Sequence, residues 1–106
     1  MSSFRFGEVL ILPFSYADLQ SRKRRPAVVL LDAGDEDVLV AKITTKEYNS
    51  SYDLKLDHWS VAGLLAPSFV RIHKLLAVEK SHVIQRIGML DPSDLDIVKQ
   101  AFHDLV

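Results

Sequence analysis

Hydrophobic positions along this chain fall into short runs separated by polar or charged stretches, a rhythm that suits strands better than long helices. Residues 8–14, EVLILPF, form an apolar run behind Gly7, and Pro13 either ends the strand or places it at an edge. Residues 15–25 are polar and cationic and read as an exposed, mobile loop, with Pro26 as the first residue of the next strand. Residues 27–31 (AVVLL) read as a buried strand, residues 33–36 (AGDE) as a turn, and residues 38–43 (VLVAKI) as the returning strand of a hairpin.

The alternation over residues 52–57 sets Tyr52, Leu54 and Leu56 on one face and Asp53, Lys55 and Asp57 on the other, as in a strand with one wet face. Residues 58–63 fit a single helical turn closed by Gly63, after which Pro67 breaks the chain and residues 68–73 (SFVRIH) resume an extended pattern. Residues 74–82 have no clear period, and a last strand is expected within residues 83–89. Asp91 then reads as an N-cap, with Pro92 at the first helical position and Asp94 favoured by the helix dipole. Leu95, Val98, Ala101, Phe102 and Leu105 follow as one apolar stripe. Many short strands closed by one helix predict a mainly β fold, a small, strongly curved antiparallel sheet or barrel plugged by a C-terminal helix.

Composition narrows the class. The 106 residues fit one domain spanning 1–106, and 48% apolar with 25% charged residues is ordinary for a folded globular chain. The absence of cysteine rules out disulfides, thiolate metal sites and cysteine nucleophiles. No apolar run suits a signal peptide or a membrane span, so a cytoplasmic protein is expected. The formal net charge of -1 gives no global attraction to nucleic acid, yet cations concentrate at residues 22–25 and acids at residues 32–37 and 91–96.

Candidate chemistry gathers at strand ends, because the sheet interior is needed for packing. Arg25 starts one strand and Thr44 ends its hairpin partner, and antiparallel pairing brings both to the same end of the sheet. A guanidinium beside a hydroxyl suits phosphoryl chemistry, since one holds two phosphate oxygens and the other orients them. The plainer reading of residues 22–25 is a solvated basic face. His73 shares strand parity with Arg71 and Phe69, so the three offer charge, a ring and a titratable group to one groove, against a structural role for that histidine. His58, His82 and His103 read as surface or capping residues, Trp59 as a core or interface residue, and no metal site is expected.

The segments GEVLILPF, KRRPAVVLL, VLVAKITT, PSFVRIHKL and IGMLDPSDLDIVKQAF, in that order, resemble the MazF/PemK family of toxins from toxin-antitoxin systems. The resemblance runs from Gly7 to about Phe102. It implies an SH3-like barrel, a homodimer, a cognate antitoxin partner that occupies the same groove, no cofactor, and metal-independent cleavage of single-stranded RNA, often mRNA, at short sequences. The products would be a 2′,3′-cyclic phosphate and a 5′-hydroxyl. The family's cleavage residues match Arg25, stabilising the transition state and a candidate proton donor, and Thr44, orienting the phosphate. Lys23, Arg24, Lys42, Arg71 and His73 are the expected RNA contacts. Some relatives carry a carboxylate shortly before that arginine, where this chain has Asp18 and then Gln20, so His73 becomes an outside candidate for the general base. Two other readings are a gyrase poison resembling the CcdB toxins, acting through the C-terminal helix, and an SH3-like module binding an acidic peptide.

Overall fold

The computed structural model describes residues 3–15 and 22–105. The elements are β1 (Glu8–Ser15), β2 (Arg22–Leu31), β3 (Asp37–Thr44), β4 (Asp53–Lys55), β5 (Phe69–Glu79), a 3-10 turn (Lys80–His82), β6 (Gln85–Met89) and α1 (Pro92–Leu105). All neighbouring strands pair antiparallel, in the order β4-β5-β3-β2-β1-β6. The architecture is mainly β with a C-terminal helix, as expected, but β4 and β6 end the order unpaired with each other, so the sheet is curved and open and not a closed barrel. Among the described residues no helix is long and apolar enough to cross a membrane.

The central strands are apolar on both faces because both faces are covered. Val9, Val28, Leu30, Ala41 and Ile43 face a core shared with Leu56, Ala62, Leu64 and Val98, against which Trp59, Leu95 and Phe102 pack. The intervening residues Leu10, Leu12, Ala27, Val29, Val38 and Val40 face a second cluster with Phe4, covered by Leu76, Val78 and Val83. β5 reaches both clusters. Its register with β3 jumps between Lys42↔Arg71 and Ala41↔Leu75, leaving residues 72–74 without partners on β3. Skipping an odd number of residues reverses which side chains face which way. Thus Val70 and Ile72 join the helix-side core, whereas Leu76 and Val78, of the same sequence parity, join the opposite one.

Three boundaries depart from the sequence reading. The cationic residues 22–25 belong to β2, not to the loop, because β1 pairs with them as far as Ser15↔Arg22 and supplies the hydrogen bonds that the apolar pattern cannot signal. Pro26 therefore lies inside the strand; the ladder to β3 stops at Ala27↔Lys42, just short of the residue that has no N–H to give. The expected strand over residues 52–57 shortens to Asp53–Lys55, and Tyr52 is half exposed. Residues 74–79, which had no clear period, extend β5.

Three carboxylates, Asp94, Asp91 and Asp32, hold loops and the helix end to this frame. Asp94, 1% exposed, accepts from the backbone N–H groups of Asp57 (3.1 Å) and His58 (2.9 Å), tying α1 to the turn after β4. Asp91 caps the helix, accepting from the Ser93 N–H at 3.0 Å and the Ser93 hydroxyl at 2.6 Å. Asp32 accepts from the Phe4 N–H (2.8 Å), the Gly34 N–H (2.9 Å) and the Lys80 ammonium (2.7 Å), joining the N-terminal segment, the β2–β3 turn and the 3-10 turn. The turn over residues 58–64 closes at Gly63, whose φ of 86° is left-handed, and it lies directly on β6. A Cβ on Gly88 would run into the Ala62 carbonyl, and one on Gly63 into the Ile87 carbonyl.

The Gly88→Ala substitution is therefore expected to destabilise the fold by about 1–3 kcal/mol through forced separation of two backbones. Denaturant melts measure this; an unchanged midpoint would remove the close approach as a constraint. The Lys80 ammonium, with the two backbone donors, holds the Asp32 carboxyl down to about 2. Unfolded, the group titrates near about 3.9, so within that window the unfolded chain binds more protons and acid favours unfolding. The Asp32 contribution is present above about pH 4 and is lost as pH falls toward 2. Asp32→Asn should be less stable at neutral pH, with a shallower acid decline in thermal melts; an equally steep decline contradicts this.

Candidate functional site

At the end of the sheet where β2, β3 and β5 meet lies a cleft of about 420 Å³ lined by Arg25, Lys42, Thr44, Lys46, Tyr48, Arg71 and Lys74, with Ile43 at its floor. Its geometry follows from the two registers. Ala27↔Lys42 is the last pair of the β2–β3 ladder, and beyond it Arg25 and Thr44 both line the cleft. On the other flank Lys42 pairs with Arg71 and Thr44 with Phe69. Arg25, Lys42, Thr44 and Arg71 thus share the sheet face opposite Ile43 and Val70. The hairpin reasoning that linked Arg25 to Thr44 describes their placement, and Lys42 and Arg71 join them in the cleft.

Other expected contacts lie elsewhere. Lys23 and Arg24 are exposed on β2, opposite Phe14 and Pro13 of β1, and do not line the cleft. His73 is half-buried with its ring 5.2 Å from that of Tyr52; its Nδ1 is enclosed without a hydrogen-bond partner among the described residues, and it is not part of the cleft wall. Asp18 and Gln20 lie outside the described residues, as does most of the expected loop. His58 and His82 are exposed and approach Asp91 (3.9 Å) and Glu79 (3.1 Å) respectively. Among the described residues no group of three or more histidines and carboxylates is placed to hold a metal.

Three lining residues escaped the sequence reading. Lys46 and Tyr48 follow the end of β3, where no alternation orders the chain. Lys74 has the parity of the core residues Val70 and Ile72, and only the skipped residues of β5 turn it toward the cleft. The Thr44 Oγ1 accepts the Lys46 N–H at 3.1 Å, folding the chain back over the cleft while leaving the hydroxyl proton available for a ligand. Tyr48 is stacked by Arg71, with Cζ 3.8 Å from the ring centroid, and by Lys46, with Nζ at 4.8 Å. Behind the wall, Asp53 of β4 sits across from Arg71 and accepts from its Nε at 2.9 Å.

The wall therefore carries five cationic side chains and no carboxylate among the described residues, in a protein whose net charge is -1. Clustered like charges in one concavity concentrate field and favour a polyanion over a single small anion. A model of the family described as PemK-like, MazF-like toxin of type II toxin-antitoxin system matches residues 5–106. No curated protein matches the chain. The fold is similar to that of an endoribonuclease in complex with its cognate antitoxin from a mycobacterial species (TM-score 0.77, 13% identity, 96% of this chain and 93% of that one). It is likewise similar to the Mycobacterium tuberculosis toxin MazF-mt6 (0.69, 23%, 90% and 93%) and to a MazE-MazF structure from Deinococcus radiodurans (0.73, 18%, 93% and 91%).

Loss of the Thr44 acceptor should free the segment after β3. Thr44→Val is expected to accelerate amide exchange at Lys46 by about fivefold to tenfold, whereas Thr44→Ser retains protection. Equal exchange in the two variants would show that Oγ1 does not hold the segment.

Proposed function

The chain belongs to the PemK-like, MazF-like toxin family of type II toxin-antitoxin systems, and we propose that it is an endoribonuclease that cuts single-stranded RNA, mRNA in the cytoplasm, within the cationic cleft. The observation that carries this is the shared position of Arg25 and Thr44 across the end of the β2–β3 ladder, inside a wall of further cations. A phosphodiester seated there meets a guanidinium fork and a hydroxyl donor together.

In the reaction the 2′-hydroxyl oxygen attacks the adjacent phosphorus as the bond to the 5′ oxygen breaks; the 2′ proton passes to water and the 5′ oxygen takes up a proton, leaving a 2′,3′-cyclic phosphate and a 5′-hydroxyl. Negative charge grows on the phosphoryl oxygens in the transition state, and preorganised donors aimed at it act most strongly there. Arg25 stabilises that charge and is the candidate proton donor to the departing 5′ oxygen. Thr44 fixes the phosphate through its hydroxyl proton. Side-chain cations supply the stabilising charge, so the step needs no metal. Sequence selectivity falls to the walls around the scissile phosphate, among them Tyr48 and Lys46. A cognate antitoxin and a second copy of the chain complete the assembly, with the exposed Val61, Leu65 and Ile84 as apolar surface for association.

The test is RNA cleavage in chelator with analysis of the ends. The intact protein should leave 2′,3′-cyclic phosphate and 5′-hydroxyl termini, and Arg25→Ala and Thr44→Val should each slow cleavage by about 10²–10³-fold. Uncut RNA, or cutting indifferent to both substitutions, rejects the proposal. Growth inhibition that survives both substitutions points instead to a poison working through another surface.

A further inference from the structure

Arg71 is held in a way that its position alone does not require. Asp53 is 4% exposed and Arg71 17% exposed, and their contact is side-on, through Nε, not through the two-pronged Nη edge. The second carboxylate oxygen, Oδ2, is buried without a hydrogen-bond partner among the described residues. Tyr48 covers one face of the guanidinium. With Nε engaged and one face stacked, the group has little rotational freedom, and among the described residues its Nη atoms have no hydrogen-bond partner. Since Arg71 lines the cleft, that edge is the part offered to a ligand.

Its location relative to the proposed cleavage point is fixed by register. Arg71 lies opposite Lys42, and Lys42 is two residues along β3 from Thr44, on the same face. The Lys42–Arg71 pair is therefore about 7 Å along the sheet from the Thr44–Arg25 pair. One nucleotide of an extended strand bridges that step. We infer that Asp53 is a positioning residue that holds Arg71 as a fixed two-pronged seat for the phosphate next to the one cleaved. This deepens, and rests on, the reading of the cleft as an RNA site.

The alternative role for Asp53 is that of a counter-charge, and the two roles predict opposite signs. A counter-charge weakens the cleft's field, so its removal raises affinity for RNA of any length. A positioning residue gives affinity only to ligands that reach the second seat. The probes are 2′-O-methyl oligonucleotides of mixed sequence carrying one, two or four phosphates, which cannot be cleaved, titrated at low salt by calorimetry. Affinity for the intact protein should rise by about tenfold or more from one phosphate to two. Arg71→Ala and Arg71→Lys should abolish that rise, and Asp53→Asn and Asp53→Ala, which keep the Arg71 charge, should abolish it too. Combining Asp53→Asn with Arg71→Ala should add nothing further, since both remove one seat. Arg71→Ala should lower the salt slope for the longer ligands by about one.

Thermal melts of each variant confirm that folded protein is compared. A retained rise in the Asp53 variants, or stronger binding at every length, overturns the inference while leaving the RNA reading intact. Failure of the intact protein to bind any of the oligonucleotides overturns both.

Discussion

The cleft depends on three residues of β5 that β3 does not match. A strand with uninterrupted pairing shows alternate side chains to one face along its whole length. With residues 72–74 skipped, β5 spends its first half covering the helix-side core and its second half covering the other face of the sheet. One strand thereby closes two cores that the apolar β1, β2 and β3 would otherwise leave open to water. The same interruption brings Arg71 and Lys74, three residues apart, to one wall. The cost of such an irregularity is a set of backbone groups outside the ladder, and the residue before β4 helps to absorb it: the Ile72 N–H donates to the Tyr52 carbonyl at 3.1 Å.

Charge is sorted by the same architecture. A chain with 13 Lys and Arg against 14 Asp and Glu has no excess to offer a polyanion, yet its cleft is cationic. Four of the acids are occupied in the frame. Asp32 binds Lys80, Glu8 accepts from the Arg5 N–H and pairs with Arg86, Asp94 holds the turn after β4, and Asp53 stands behind Arg71. Several are nearly enclosed and replace the backbone partners that loops lack. These four carboxylates are thus held in the frame, while most of the cleft's cations remain at a surface that a ligand can reach.

The sequence was most informative where one physical rule decided the outcome. Alternation and turn residues located the β2–β3 hairpin, and hairpin register then placed Arg25 near Thr44 without any tertiary information. Capping chemistry located α1 at Asp91 and Pro92 because helix ends have local, unpaired donors. The reading failed where pairing partners, and not the residues themselves, set the conformation. Residues 22–25 look like loop because nothing in them announces β1 as a partner. Lys74 looks like a core-facing position because a skipped register leaves no trace in the alternation of Val70 and Ile72. Lys46 and Tyr48 were invisible because a loop held by one threonine hydroxyl and one stacked guanidinium has no period to detect.

The segment from residue 45 to residue 52 is fastened at its two ends, at Thr44 by Oγ1 and at Asp53 through the Ser50 carbonyl, and is pinned between them by Tyr48 on Arg71. None of its side chains is among the fully buried ones. Asn49 takes its single left-handed turn, a conformation asparagine tolerates without glycine. Such a stretch is an interchangeable part. Its length and lettering can change without disturbing the packed sheet and helix, because it is held only at its ends and by one stacked ring.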